Sequence, residues 1–167
     1  CSAWDDAQSQ LIIAYNNSNI DIVKGDQVYA ITDLLLSNLY PSKKINHIYL
    51  LNQWALLSTD FGIVVIDLIK HEIKDTWFPN NNRQVTKTFQ LVSTQDILYA
   101  ATENGIWTCS LKNNWITANQ WQNNSGIPSG ITDTLKDGVG QVIDRGVGLI
   151  PNEATVNLDD QVVRPTV

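Results

Sequence analysis

The sequence predicts an all-β fold built from four-stranded antiparallel units that repeat about every 43 residues. Three observations carry this reading. Gly62-Ile63 in STDFGI falls over Gly105-Ile106 in ATENGI at an offset of 43, and the same step reaches Asn19-Ile20 in YNNSNI and Gly148-Leu149 in DRGVGL. Short runs of β-branched and aromatic residues, bounded by turn-forming residues, recur four times within each unit. Middle runs such as IVVI at 63–66 are apolar at consecutive positions, where a strand with one wet face would alternate, so both faces are expected to be covered. Four strands in roughly 40 to 45 residues, stacked between two neighbours, is the period of a propeller blade.

The elements follow in order. In register, Cys1-Ser2-Ala3 lies over Lys44-Ile45-Asn46, which starts the first blade (about 1–40) inside an innermost strand. Its third hairpin, IVKGDQV, is short, and the segment Ile31 to Leu39 is the connection to the next blade although it could pass for a helical turn. The second blade (about 41–83) reads as strands Ile45 to Leu50, Ala55 to Thr59, Ile63 to Leu68 and Glu72 to Trp77. The third (about 84–126) repeats it: TFQLVSTQDILYA falls over INHIYLLNQWALL, Thr102 over Thr59, Glu103 over Asp60 and Leu111 over Leu68. Asn104-Gly105 favours a two-residue hairpin turn with positive φ. Asn19, Gly62, Asn104, Gly105 and Gly148 are therefore the expected hairpin-turn residues. Residues 131–167 match the period only through ITDTL and GVGL and read as a degenerate fourth blade or an unmatched tail. A helical solenoid of similar period is disfavoured, because no segment carries a 3.6-residue apolar stripe.

Composition narrows the function classes. Of 167 residues, 43% are hydrophobic and 17% charged, enough to fold around a core beneath a lightly charged surface. A net charge of -6 without a basic stripe argues against nucleic acid as a partner. Lys43-Lys44 reads as a solvated loop. FGIVVIDLI at 61–69 is interrupted by Asp67 and is about half the length of a membrane helix, so no transmembrane segment is expected, and none reads as a signal peptide. Cys1-Ser2 could open a lipidated mature protein, but the repeat register places Cys1 in a strand.

No catalytic, metal or cofactor site emerges. Cys1 and Cys109 fit no zinc or redox spacing, and His47 and His71 lack companions that would complete a metal set. DGVGQVIDRGVG at 137–148 is not a dinucleotide fingerprint, and its glycines read as turn residues. Asp5, Asp6, Asp21 and Asp60 fall in turns or at strand ends, where Asp caps local backbone. The six tryptophans chiefly suit packing between blades, with Trp115 and Trp121 the expected exposed aromatic contacts because NNWITANQW is otherwise polar.

With the repeats in place, LIIAYNNSNIDIV (11–23), INHIYL (45–50), LSTDFGIVVIDLIKHEIKDTW (57–77) and LYAATENGIW (98–107) resemble the N-terminal propeller of the PorZ family, the propeller proteins of the bacterial type IX secretion machinery. The resemblance covers roughly 11–130. It implies a non-enzymatic scaffold without cofactor at the surface of a Gram-negative cell, in an attachment complex with sortase-complex partners of the PorU, PorV and PorQ type that processes secreted cargo and joins it to anionic lipopolysaccharide. The lipopolysaccharide contact belongs to a later domain of such proteins, so no binding residue carries over. The chain then reads as a segment whose remaining blades are absent and whose open blade faces invite association. Blade endings such as ATENGIW also resemble those of periplasmic sensor propellers of two-component regulators, and a propeller enzyme working in the central channel is a third reading that CSAW, INHIYL and TFQLV do not support.

Overall fold

Strand-forming runs joined by short turns fold into three consecutive meanders. The computed structural model of the chain describes residues 1–80, 82–112, 115–118 and 120–123. The first sheet contains β1 (Ser2–Asp5), β2 (Gln10–Ala14), β3 (Ile20–Lys24) and β4 (Gln27–Ile31). The second contains β5 (Ile45–Leu51), β6 (Trp54–Thr59), β7 (Gly62–Asp67) and β8 (Glu72–Trp77), and the third β9 (Thr88–Ser93), β10 (Ile97–Thr102), β11 (Gly105–Ser110) and β12 (Trp121–Asn123). Each sheet is antiparallel, with its strands in chain order. The opening strands begin at Ser2, Ile45 and Thr88, in equal steps of 43. Backbone bonds repeat at that step: Asp60 N–H donates to Lys44 O and Glu103 N–H to Lys87 O, both at 3.0 Å, while Leu68 N–H meets Gln53 O at 2.9 Å and Leu111 N–H meets Asp96 O at 2.8 Å.

The consecutive apolar residues of the middle strands fill two different cores. Residues opposite one another in a sheet share a face, and neighbours along a strand point to opposite faces. Ala55, Leu57, Val64 and Ile66 therefore pack with Ile12, Ala14, Ile20, Ile22 and Ile31 of the first sheet. Leu56, Ile63, Val65 and Trp77 turn the other way and pack with Leu91, Leu98, Ala100, Trp107 and Cys109 of the third. All six residues of β7 are buried. The second sheet is thus sandwiched, and the propeller reading of IVVI holds.

Polar ties reinforce each joint. Gln10 Nε2 donates to Leu68 O across the first joint at 3.1 Å and to the carboxylate of Asp5 at 3.0 Å. Across the second joint, Asn46 Nδ2 donates to Thr88 O at 2.9 Å, and Tyr49 OH lies 2.9 Å from Ser93 Oγ while accepting the Ser93 N–H at 3.1 Å. Both sets join buried or half-buried groups that burial would otherwise leave unpaired.

Helix is not wholly absent. The connection after the first sheet contains a single turn, α1 (Asp33–Leu36), and a second turn, α2 (Trp115–Ala118), precedes β12. Leu34 is buried in the first joint and Trp115 and Ile116 pack against the second, so tertiary burial holds these turns despite their length. Residues 131–167, with the expected degenerate blade, lie outside the described residues.

Gly62 is the most demanding backbone position. Its φ is +152°, and a Cβ there would stand 2.4 Å from Trp77 O and 3.3 Å from Phe78 Cδ1. At Gly25, φ is +57° but nothing lies within 4 Å of the added carbon. Gly62→Ala should therefore cost more than the 1–3 kcal/mol typical of backbone strain alone, roughly, because Trp77 must move as well. Gly25→Ala should cost only about 1–2 kcal/mol. Urea unfolding of the two variants beside the parent chain checks the order, and equal losses would show that the Trp77 contact does not matter.

Candidate functional site

Four-stranded meanders place equivalent loops at one end. The β2–β3, β6–β7 and β10–β11 turns share that end with the connections 32–44 and 78–87, as strand direction requires. Two of the turns are built alike. Thr59 Oγ1 donates to Gly62 O at 2.9 Å and accepts the Phe61 and Gly62 N–H groups at 3.2 and 3.1 Å. Thr102 Oγ1 likewise donates to Gly105 O at 2.9 Å and accepts Asn104 N–H at 3.2 Å. The threonine hydroxyl thus satisfies turn amides that a buried hairpin end would leave without water.

The glycine's role differs in one detail from a central Asn-Gly turn. Thr102 pairs directly with Gly105, so Glu103-Asn104 form the loop and Gly105 takes its positive φ of 105° as the first residue of β11. In the first sheet the loop is longer, with Ala14 opposite Ile20. Ser18, at φ 70°, takes the left-handed conformation there, and Asn19 closes the loop by accepting Tyr15 N–H at 2.9 Å. Gly148 lies outside the described residues.

Beside the β6–β7 turn sits a polar cluster around Asp60. Asp60 accepts hydrogen bonds from Ser42 Oγ at 2.6 Å and Asn46 Nδ2 at 3.1 Å, and Lys87 Nζ stands 3.8 Å away. Burial, the largest influence, pushes the Asp60 carboxyl up; the two hydrogen bonds and the charges of Lys87 and Lys44 together outweigh it, and the net direction is below the usual 3.8. Lys87 also lies 5.4 Å from the Phe89 ring centre, and its N–H donates to Glu103 Oε1 at 2.9 Å. The cluster therefore ties the second and third sheets together. Lys43, expected in a solvated loop, donates instead to Leu35 O and Ser37 O at the end of α1.

The expected aromatic contacts are corrected. Trp121 is 7% exposed and half-buried Trp115 packs beside it; their rings lie 6.3 and 5.7 Å from that of Trp77. Both rings instead join the apolar cluster of the second joint, with Trp77 between the sheets. Among the described residues the aromatics left open are Trp4 on β1, 55% exposed, and Tyr15 after β2, 42% exposed.

The two histidines lie between sheets. His47 lies opposite Ser58 on the face of the second sheet that meets the third, and burial lowers its pKa. His71 stacks on Tyr29 with ring centres 3.8 Å apart and lies 3.2 Å from Gln10 Oε1; its pKa is lowered by burial and then by Lys24. Among the described residues no group of three His, Cys, Asp or Glu could hold a metal ion. Cys109 is buried, unpaired and pushed up to about 11 by desolvation, far from a reactive thiolate; Cys1 is exposed and also unpaired. An open groove of about 350 Å³ on the third sheet is lined by Ile97, Thr108, Ser110 and Gln122, with the Asp96–Lys112 ion pair at 3.3 Å. Its lining mixes the apolar Ile97 side chain with polar ones. Among the described residues no helix is long and apolar enough to cross a membrane.

A sequence model described as the type IX secretion system PorZ N-terminal β-propeller domain matches residues 2–122, which include all three sheets. The chain belongs to the PorZ N-terminal propeller family. A solved structure of PorZ from Porphyromonas gingivalis, described as an essential bacterial surface component of the type-IX secretion system, is similar in fold, with a TM-score of 0.62 and 22% identity. The similarity covers 73% of this chain and 16% of that one, so the chain spans a small part of the PorZ polypeptide it resembles. No curated protein sequence matches it. The PorZ-family fold explains why the best-built features here are joints and turns.

The Asp60 cluster carries a pH dependence. A carboxyl whose folded pKa is depressed contributes stability that is complete above its unfolded pKa and is lost as pH falls through the folded value. The second joint should therefore weaken below about pH 4, where the unfolded carboxyl begins to take up protons. Asp60→Asn should flatten that acid limb by lowering the neutral plateau toward the acid value. Urea midpoints between pH 2.5 and 6 for both chains test it, and an unchanged acid slope would show that Asp60 does not contribute.

Proposed function

We propose that this PorZ-family propeller is a non-catalytic scaffold of a type IX secretion attachment complex, working through protein contacts that support sortase-dependent processing and surface anchoring of secreted cargo. The family match over residues 2–122 supports this reading. The architecture agrees with it: Gln10 and Asn46 tie neighbouring sheets together, and the two histidines serve packing positions between sheets. Its setting is then the cell surface of a Gram-negative bacterium, and its partners are sortase-complex proteins of the PorU, PorV and PorQ type, both carried over from the family resemblance.

An affinity purification of the complete protein from its native outer membrane tests the proposal. Recovery of a sortase-like protein and its companions is the expected result. A preparation that retains the propeller in folded form and brings down none of them contradicts the scaffold reading.

A further inference from the structure

A polar atom taken out of water needs a bonding partner, and the second joint is where such partners run short. Among the described residues five buried side-chain atoms are bonded by no other group of the chain, and four of them lie in this joint: His47 Nδ1, Ser58 Oγ, Trp107 Nε1 and Trp121 Nε1. The fifth, Asn19 Oδ1, belongs to the β2–β3 turn. Of the four, only His47 and Ser58 are directly opposed on neighbouring strands. They start the cross-strand row His47, Ser58, Ile63 and Trp77, which faces the third sheet. The pairing skips Asn46, and this bulge is what sets His47 opposite Ser58.

Directly opposed residues hold their Cβ atoms about 4.5–5.5 Å apart. Ser58 Oγ and His47 Nδ1 are therefore near neighbours, yet they do not bond to each other. Ser58 is 0% exposed, and Leu56 and Ile63, equally buried, stand beside it on the same face. Bulk water thus does not reach the hydroxyl. Packing alone does not call for that hydroxyl either: one step of 43 along the chain, Ser58 becomes Ala101, 1% exposed and again opposite a strand that bulges, at Phe89. The chemistry of the pair is complementary through a third group. A serine hydroxyl donates and accepts, and a neutral imidazole keeps one acceptor nitrogen. Burial lowers the pKa of His47, which favours that neutral ring. Two such atoms, close together, out of direct bonding reach and shielded from solvent, form the setting that a single bridging water satisfies.

We propose that the second joint contains a structural water site: one ordered water accepts a hydrogen bond from the Ser58 hydroxyl and donates one to His47 Nδ1, linking β5 to β6 on the face packed against the third sheet. His47 then carries its proton on Nε2, and the joint closes around a polar bridge as well as around apolar side chains.

A crystal structure of the complete polypeptide, at a resolution that shows ordered water, tests the site directly. The expected result is one water within hydrogen-bond distance of both Ser58 Oγ and His47 Nδ1; a dry gap or a direct bond between the two side chains overturns the proposal. Hydrogen exchange of the same polypeptide, read by mass spectrometry, is independent of crystals. Ser58→Ala leaves both the water and His47 Nδ1 short of a partner, so the amides of β5 and β6 should exchange about fivefold faster or more. In a His47→Leu background the same substitution should have little effect, because the bridge has already lost its acceptor. Exchange that is slower or unchanged in Ser58→Ala marks a hydroxyl that no water satisfied, and equal acceleration in both backgrounds marks a hydroxyl that acts without His47. Either result overturns the proposal.

Discussion

Everything in the described arc depends on the second sheet being buried on both faces. Past half-buried Trp54, every residue of β6 and β7 is buried: Ala55, Leu57, Val64 and Ile66 are committed to the first joint and Leu56, Ile63 and Val65 to the second. At about 1.5–3 kcal/mol for each large side chain removed from water, these two strands supply the main attraction at both joints. Because consecutive residues serve opposite neighbours, any shift of register by one residue would exchange the two sets and misplace both. The turn chemistry exists to prevent that shift. Thr59, Gly62 and the packed Trp77 carbonyl fix where β6 ends and β7 begins.

This constraint also explains why the polar groups sit where they do. Asn46, Tyr49 and Gln10 reach from one sheet to backbone or hydroxyl groups of the next, so the joints are fixed in direction as well as closed. The charged groups Asp60, Lys87 and Glu103 gather at the turn-bearing end, at the rim of the second joint, where a charge keeps part of its hydration. These ties hold the spacing of the loops at the ends of the sheets, which the proposed scaffold role would require.

Much of the fold was legible because the repeat step is written in residues with strict local requirements. Gly62, Gly105, Thr59 and Thr102 mark turn positions that few other residues satisfy, and the strands predicted from 45 to 77 match the observed ones to within a residue or two. The continuous apolar run of β7 announced burial on two sides. What sequence did not reveal depends on neighbours in space. In the first unit the longer turn between Ala14 and Ile20 slips β2 by one step, so Ile13 faces outward where its counterpart Leu56 faces the following sheet. The polar phrase NNWITANQW suggests an exposed Trp121, yet Trp77 of the second sheet lies 6.3 Å from its ring and buries it. The helical turns depend on where Leu34 and Trp115 find a core, which local propensity cannot specify.

The account rests on adjacent residues of β6 holding different neighbours, and native-state hydrogen exchange can measure that directly. Leu57→Ala and Leu56→Ala each remove a fully buried side chain and should each cost about 2–5 kcal/mol. If the second sheet is sandwiched as described, Leu57→Ala will release amides of β2 and β3 first and Leu56→Ala those of β10 and β11. Indistinguishable exchange patterns from the two variants, or the reverse assignment, would contradict the two-faced packing on which the propeller arc depends.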